Sequence, residues 1–143
     1  MIPDKKLSDS GAKAYQRSDE EWRIKPYSEW HRTLNRSLMA VDVDFIEWRY
    51  RNGELFAVGV MEITRVDLGI NVTQAYLDAI IARYESGGVQ AQVARKVAQA
   101  LGTKAYIVLF REDCSRFAVY NLTDRGAWQF FDALAMEVFL SQL

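Results

Sequence analysis

Residues 41–64, VDVDFIEWRYRNGELFAVGVMEIT, decide the fold of this chain. The first five of them alternate valine or phenylalanine with aspartate, which is the period-2 pattern of a strand. Asn52-Gly53 indicates a tight turn, because both residues readily adopt positive φ angles. The apolar run Leu55–Ile63 is suited to a central strand. The stretch therefore predicts a β-hairpin within a sheet.

Helices and strands are also predicted on both sides of this hairpin. A short helix is expected just after Ser28, where Trp30, Leu34 and Leu38 recur at four-residue spacing on one face. Further helices are expected over residues 73–84, 89–101 and 124–140, which makes four in all. The third of them is expected to turn Val93, Val97 and Leu101 toward the core. Runs at 105–110 and 117–120, rich in β-branched and aromatic residues, predict a second pair of strands. We therefore expect an α/β fold with a central mixed β-sheet flanked by helices.

The composition is that of one globular domain. The chain has 143 residues, half of them hydrophobic, which is enough for a single sizeable core. Residues 1–24 are polar and are expected to form an N-terminal arm, with the domain over residues 25–143. The formal net charge of −1 excludes the basic field of strong non-specific nucleic-acid binders, so such a contact needs a local patch.

The sequence also bounds the compartment. Cys114 is the only cysteine, which excludes an internal disulfide, and one cysteine with one histidine gives no zinc-site spacing. The first ten residues lack the apolar segment of a secretory signal, and no apolar run reaches the length of a membrane span. A cytoplasmic protein without a membrane partner is therefore expected.

Three acidic residues stand at the ends of the two strands of the predicted hairpin: Asp42, Asp44 and Glu62. Carboxylates beside a core cost desolvation free energy unless a cation or a donor compensates them, and Mg²⁺ or Mn²⁺ is a suitable cation. A two-residue turn alone would place Glu62 opposite Val43. A longer loop or a β-bulge would place Glu62 with the aspartates, and we expect this geometry. The alternative is a strand edge with solvated carboxylates.

The order of these motifs resembles the PD-(D/E)XK nuclease superfamily. Glu29-Trp30-His31-Arg32 on a helix, Val41–Glu47, a hairpin, and then Met61-Glu62-Ile63-Thr64 are similar to its strand aspartate followed by a Glu-x-Lys strand. The resemblance covers roughly residues 27–140. It implies a restriction-endonuclease-like fold and a Mg²⁺-dependent nuclease acting on DNA. The metal ligands that it implies are Asp44 and Glu62, with Asp42 as a further candidate. It also implies Glu29 as an acid carried by the helix.

The chain departs from the motif at Thr64, which occupies the position of the family's lysine and cannot supply its positive charge. Arg65 follows it but should point to the opposite face of the strand. Arg95 or Lys96, from the helix after Gly88, is expected to reach the site instead. The candidates for phosphate contacts are Arg32, Arg36, Arg65, Arg95 and Lys96, and the alternative for these side chains is a solvated surface.

Two functional classes remain open on this basis. The first is a metal-dependent nuclease. The second is a catalytically degenerate binding module that kept the nuclease fold, or a subunit whose oligomer supplies the missing base. The aromatic C-terminal helix is apolar on more than one side, which suggests a homo-oligomer contact as well as a core.

Overall fold

The computed structural model describes residues 20–143, with side chains from residue 24 onward, so most of the expected N-terminal arm lies outside the described residues. The chain divides into two compact units, with the boundary between Val41 and Asp42. No helix within the described residues is long and apolar enough to cross a membrane.

The first unit contains helix α1, Glu20–His31. The prediction of a helix that starts after Ser28 is wrong, because Ser28 lies inside α1 and Leu38 lies beyond its end. Leu38 is 54% exposed, so the four-residue spacing of apolar residues here does not mark a buried face. Spacing alone cannot distinguish a buried stripe from scattered surface apolar residues.

The second unit is an α/β fold with a five-stranded mixed sheet. Its elements are β1 (Phe45–Arg51), β2 (Glu54–Val66), α2 (Gln74–Glu85), α3 (Gln90–Ala100), β3 (Ala105–Arg111), β4 (Arg116–Asn121), β5 (Gln129–Asp132) and α4 (Ala133–Ser141). The strands lie in the order β1-β2-β3-β4-β5. β2 and β3 are parallel, and the other neighbours are antiparallel. The expectation of a mixed sheet flanked by helices is confirmed.

Helices pack on both faces of the sheet, because alternate residues of each strand face opposite layers. The layer under α2 and α3 includes Val60, Val66, Ile107, Leu109, Leu77, Ile80 and Ala94. The layer under α4 includes Met61, Tyr106, Val108, Val119 and Met136. Glu62 and Thr64 alternate in phase with Val60 and Val66, so they face the layer of α2 and α3.

The predicted hairpin forms with one irregularity. Asn52 and Gly53 make the tight turn with φ angles of 56° and 77°, as expected. Glu47 pairs with Gly59 but Trp48 pairs with Ala57, which leaves Val58 as the extra residue of a bulge in β2. The strand β1 begins only at Phe45, so the prediction of a strand from residue 41 is wrong for the residues before it.

Helix α3 turns its alanines toward the core, and the predicted inward face is only partly right, because Val97 packs at the margin of the core and Leu101 does not. Ala91, Ala94 and Ala98 are at most 1% exposed, whereas Leu101, expected inside, is 38% exposed. The small side chains allow α3 to lie close to β2 and β3, which leaves larger residues at the margins of the contact. Hydrophobicity alone points to the largest apolar residues and misses such a close approach.

We expect Ala94→Leu to destabilise the fold by about 1–3 kcal/mol, because the added methylenes have no space under α3. Ala100→Leu, on an exposed turn of the same helix, is the matched control and should change the free energy of unfolding by less than about 0.5 kcal/mol. Urea denaturation of both variants measures the difference. Equal stability of the two variants would contradict the close packing of α3.

The C-terminal helix is shorter than predicted. Residues 129–132 form β5, which pairs with β4, and α4 starts after Asp132. The Asp132 side chain accepts a hydrogen bond from Ala135 N at 2.8 Å and so caps the helix. The aromatic residues Phe130 and Phe131 suit a strand as well as a helix, and the free edge of β4 decides between the two.

Candidate functional site

The β-bulge brings Asp44 and Glu62 together. Phe45 pairs with Met61, so the next position along each strand places Asp44 beside Glu62, as expected. Asp44 N donates to Glu62 Oε2 at 3.2 Å, and Ile63 N donates to Asp44 Oδ2 at 2.8 Å. Each carboxylate is therefore held by a backbone amide, and the pair joins the two strands where β1 begins.

The two carboxylates differ in their environment. Asp44 is exposed, whereas Glu62 is only 5% exposed. Burial raises the pKa of Glu62 to about 7, the hydrogen bond from Asp44 N opposes this rise, and the charges of Asp44 and Asp42 add to it. Burial and the two nearby carboxylates thus disfavour the charged form of Glu62. A cation bound beside these carboxylates would offset that cost.

The carboxylate pair suits an open Mg²⁺ site with two protein ligands rather than a closed site in which protein ligands fill every position. Asp44 Oδ1 and Glu62 Oε1 accept no hydrogen bond from any described residue. Within residues 20–143 no group of three or more His, Cys, Asp or Glu is arranged to hold a metal ion. Mg²⁺ is commonly bound by one or two carboxylates, with water and substrate phosphates at its other positions. The donor set is thus consistent with such an ion.

Thr64 lies one side chain further along the same face of β2 and is tied to helix α2. Its Oγ1 is 2.6 Å from Tyr84 Oη, and Arg83 donates to it through one guanidinium nitrogen at 3.1 Å. Thr64 is buried while Arg83 is exposed, and the Arg83 guanidinium carbon lies 5.1 Å from the centre of the Tyr84 ring. A positive charge from helix α2 therefore reaches Thr64.

Arg95, expected to reach this position, is instead engaged elsewhere. It donates to both carboxylate oxygens of Glu85 at 2.8 Å. This contact is the main reason that the pKa of Glu85 lies below its usual value. Lys96 is exposed on the same helix, and neither side chain bonds to Thr64. The cation that contacts Thr64 comes from the end of α2, as Arg83, rather than from α3.

The remaining residues that the sequence suggested for the site form no described hydrogen bond or ion pair with Asp44, Glu62 or Thr64. Arg65 points to the opposite face, as expected, and pairs with Asp67 at 3.0 Å and Glu112 at 2.8 Å. Glu29, Arg32 and Arg36 are exposed residues of the first unit. Asp42 is exposed and acts on Glu62 through its charge.

Sequence reasoning missed Arg83 as a member of the site. Tyr84 faces inward from α2 and is buried. Arg83 precedes it in the last turn and carries no signal beyond that of a solvated helix position. Only the packing of α2 across β2 brings the guanidinium to Thr64.

Comparisons with known proteins add no relative. No protein-family model matches the chain, and no curated protein or solved structure matches it either. Its functional assignment therefore depends on the geometry of the residues described above.

Proposed function

We propose that this protein is a divalent-metal-dependent nuclease that hydrolyses phosphodiester bonds of DNA. The observation that carries the proposal is the Asp44–Glu62 pair, in which backbone hydrogen bonds hold Glu62 of β2 beside Asp44, the residue before β1. One oxygen of each carboxylate accepts no hydrogen bond from the described residues. The backbone hydrogen bonds satisfy one oxygen of each carboxylate, but the charge of Glu62 is buried at a cost that a bound cation would offset.

Asp44 and Glu62 are the residues that would hold Mg²⁺ or Mn²⁺. When bound, such an ion polarises a phosphodiester and lowers the pKa of a coordinated water. The exposed side of Asp44 leaves room for the substrate phosphate. Water adds to phosphorus as the bond to the leaving oxygen breaks, the proton lost by the water passes to solvent, and the leaving oxygen takes a proton from solvent. Glu62, buried behind it, anchors the ligand set to the core.

Arg83 is proposed to stabilise the negative charge that develops on the phosphate. A guanidinium is permanently charged and presents several donors, so it suits phosphate oxygens. It cannot take a proton from water, and its role is therefore electrostatic rather than that of a general base. Thr64 and Tyr84 position it by hydrogen bonding and by contact with the aromatic ring.

The resemblance to the PD-(D/E)XK superfamily supports the same reading. The mixed sheet with helices on both faces is compatible with the restriction-endonuclease-like fold that the resemblance implies. The acidic pair, with Asp44 just before β1 and Glu62 within β2, supports the order of carboxylates that the resemblance implies. The choice of DNA as substrate comes from this resemblance.

We expect the purified protein to degrade DNA when Mg²⁺ or Mn²⁺ is present, and Asp44→Asn to reduce this activity to background. The substitution keeps the shape of the side chain and removes one ligand charge. Single- and double-stranded DNA are incubated with each protein, with and without a chelator. Glu54→Gln, a change of equal charge at an exposed position of β2, is the matched control and should retain full activity.

The alternative function is a metal-binding module without cleavage. It is favoured by the buried Thr64, which stands where the motif has an amine. Calorimetric titration of Mn²⁺ separates the cases: binding without degradation of any DNA identifies the module. Absence of both binding and degradation overturns the proposed site.

A further inference from the structure

Strand β1 forms one edge of the sheet. Within residues 42–143 its only strand neighbour is β2. An edge strand presents a row of backbone N–H and C=O groups, which another strand can pair with. β5 forms the other edge, but it is only four residues long and runs directly into α4, whereas β1 has seven residues.

The two faces of β1 have different chemistry. Ile46, Trp48 and Tyr50 alternate on one face, and Trp48 is 43% exposed. Glu47 and Arg49 both lie on the other face. They form an ion pair at 2.9 Å, and their side chains are 31% and 28% exposed. The sequence is therefore apolar on one face and oppositely charged at neighbouring positions of the other.

We propose that β1 is the interface of a homodimer in which a second copy of this chain adds its own β1 in antiparallel orientation, centred on Trp48. In this register Trp48 faces Trp48 of the second copy, and Ile46 faces Tyr50. Glu47 then faces Arg49 of the second copy, and Arg49 faces Glu47. The pairs of residues 46–50 are either apolar on the face of Trp48 or oppositely charged on the face of Glu47. At each end of the paired segment Phe45 faces Arg51, which adds no charge repulsion.

Charge complementarity identifies the second copy as the occupant. A strand that carries Glu and Arg two positions apart matches itself when reversed about the residue between them, and a strand without this pattern would leave one charge unmatched. Dimerisation would join the two sheets into one continuous sheet. It would also bury part of the exposed Trp48 side chain.

The C-terminal helix is the competing surface. Leu134 and Val138 are 76% and 51% exposed on α4, which agrees with the expectation of a helix that is apolar outside the core. The only charged residue of α4 is Glu137. A second copy of α4 would therefore find no opposite charge on this helix to pair with. We therefore assign the dimer contact to β1.

Sedimentation equilibrium of the full chain tests the proposal. The protein is expected to be a dimer that dissociates on dilution, and Trp48→Lys is expected to raise the dissociation constant about tenfold or more. Leu134→Lys is the matched control on α4 and should leave the constant unchanged. Because Trp48 is already half exposed, its replacement should not unfold the monomer, which circular dichroism verifies.

Glu47→Lys gives an independent test, because it places a positive side chain opposite the positive Arg49 of the second copy. It is expected to weaken the dimer, whereas Glu54→Lys, the same charge change at the hairpin turn, should not. A monomer at all concentrations would overturn the proposal. So would a dimer that Leu134→Lys dissociates and Trp48→Lys leaves intact.

Discussion

Glu62→Gln is expected to stabilise the metal-free protein by about 3 kcal/mol at pH 8, although it removes a residue of the proposed site. The folded-state pKa of Glu62 is raised to about 7 from an ordinary value of 4.5. The folded protein therefore binds this proton more tightly than the unfolded chain, and the native state loses stability as the pH rises from about 4.5 through 7. Each unit of pKa difference corresponds to about 1.4 kcal/mol.

The variant has no such titration, so its advantage over the unsubstituted protein should be small near pH 4.5 and complete above pH 7. The introduced glutamine keeps an oxygen that can accept from Asp44 N, so the hydrogen bond is retained. Urea denaturation at several pH values in the presence of a chelator measures the difference. A constant difference across this range would show that Glu62 does not carry the raised pKa.

The same substitution is expected to weaken Mn²⁺ binding by about ten- to a hundredfold, because one charged ligand is lost. Proton competition at Glu62 also predicts that binding to the unsubstituted protein weakens as the pH falls below 7. Calorimetric titration of both proteins at pH 6 and pH 8 tests this. Glu54→Gln should bind like the unsubstituted protein, and unchanged binding by Glu62→Gln would remove Glu62 from the site.

Arg83→Gln is expected to lower the rate of DNA cleavage by about 10²–10³-fold, as the loss of one preorganised donor does in other active sites. The affinity for Mn²⁺ should change little, because Arg83 bonds to Thr64 rather than to the carboxylates. Single-turnover cleavage rates together with metal titrations separate the two effects. A parallel loss of metal binding would indicate that the substitution disturbs the whole site.

Two further variants make this result specific. Arg83→Lys keeps the positive charge and should recover a large part of the rate that Arg83→Gln loses. Arg116→Gln removes an exposed arginine whose only described hydrogen bond is to Ser115 O, and it should leave the rate unchanged. If Arg83→Lys is as slow as Arg83→Gln, charge at this position is not the cause.

The strands and the hairpin were largely predictable, whereas helix faces and termini were less so. Alternation and the Asn52-Gly53 turn depend on local backbone geometry, which the sequence expresses directly. The inward face of α3 depends on how closely that helix lies against the sheet. Alanines mark that face only once the partner surface is known, so size was a misleading guide at Leu101, whereas Val97 does pack at the margin of the core.

The carboxylate pair was predictable and its cationic partner was not. Asp44 and Glu62 stand out in the sequence, because carboxylates at the ends of apolar strands cost desolvation free energy. Their contact depends on Val58, one extra residue that shifts the register of β1 against β2 by one position. The alternation of apolar and polar residues fits the register with the bulge and the register without it. The bulge was expected because it places Glu62 on the face of Asp42 and Asp44.

Sequence alone therefore determined an α/β architecture, the central hairpin and the two acidic residues at its open end, because these depend on residue type and short-range periodicity. The tertiary structure decided which residues of α3 are buried, that residues 129–132 pair as a strand, and that Arg83 rather than Arg95 reaches Thr64. These features depend on contacts between residues distant along the chain, where several arrangements satisfy the same local pattern and only the packing of helices on the sheet selects one.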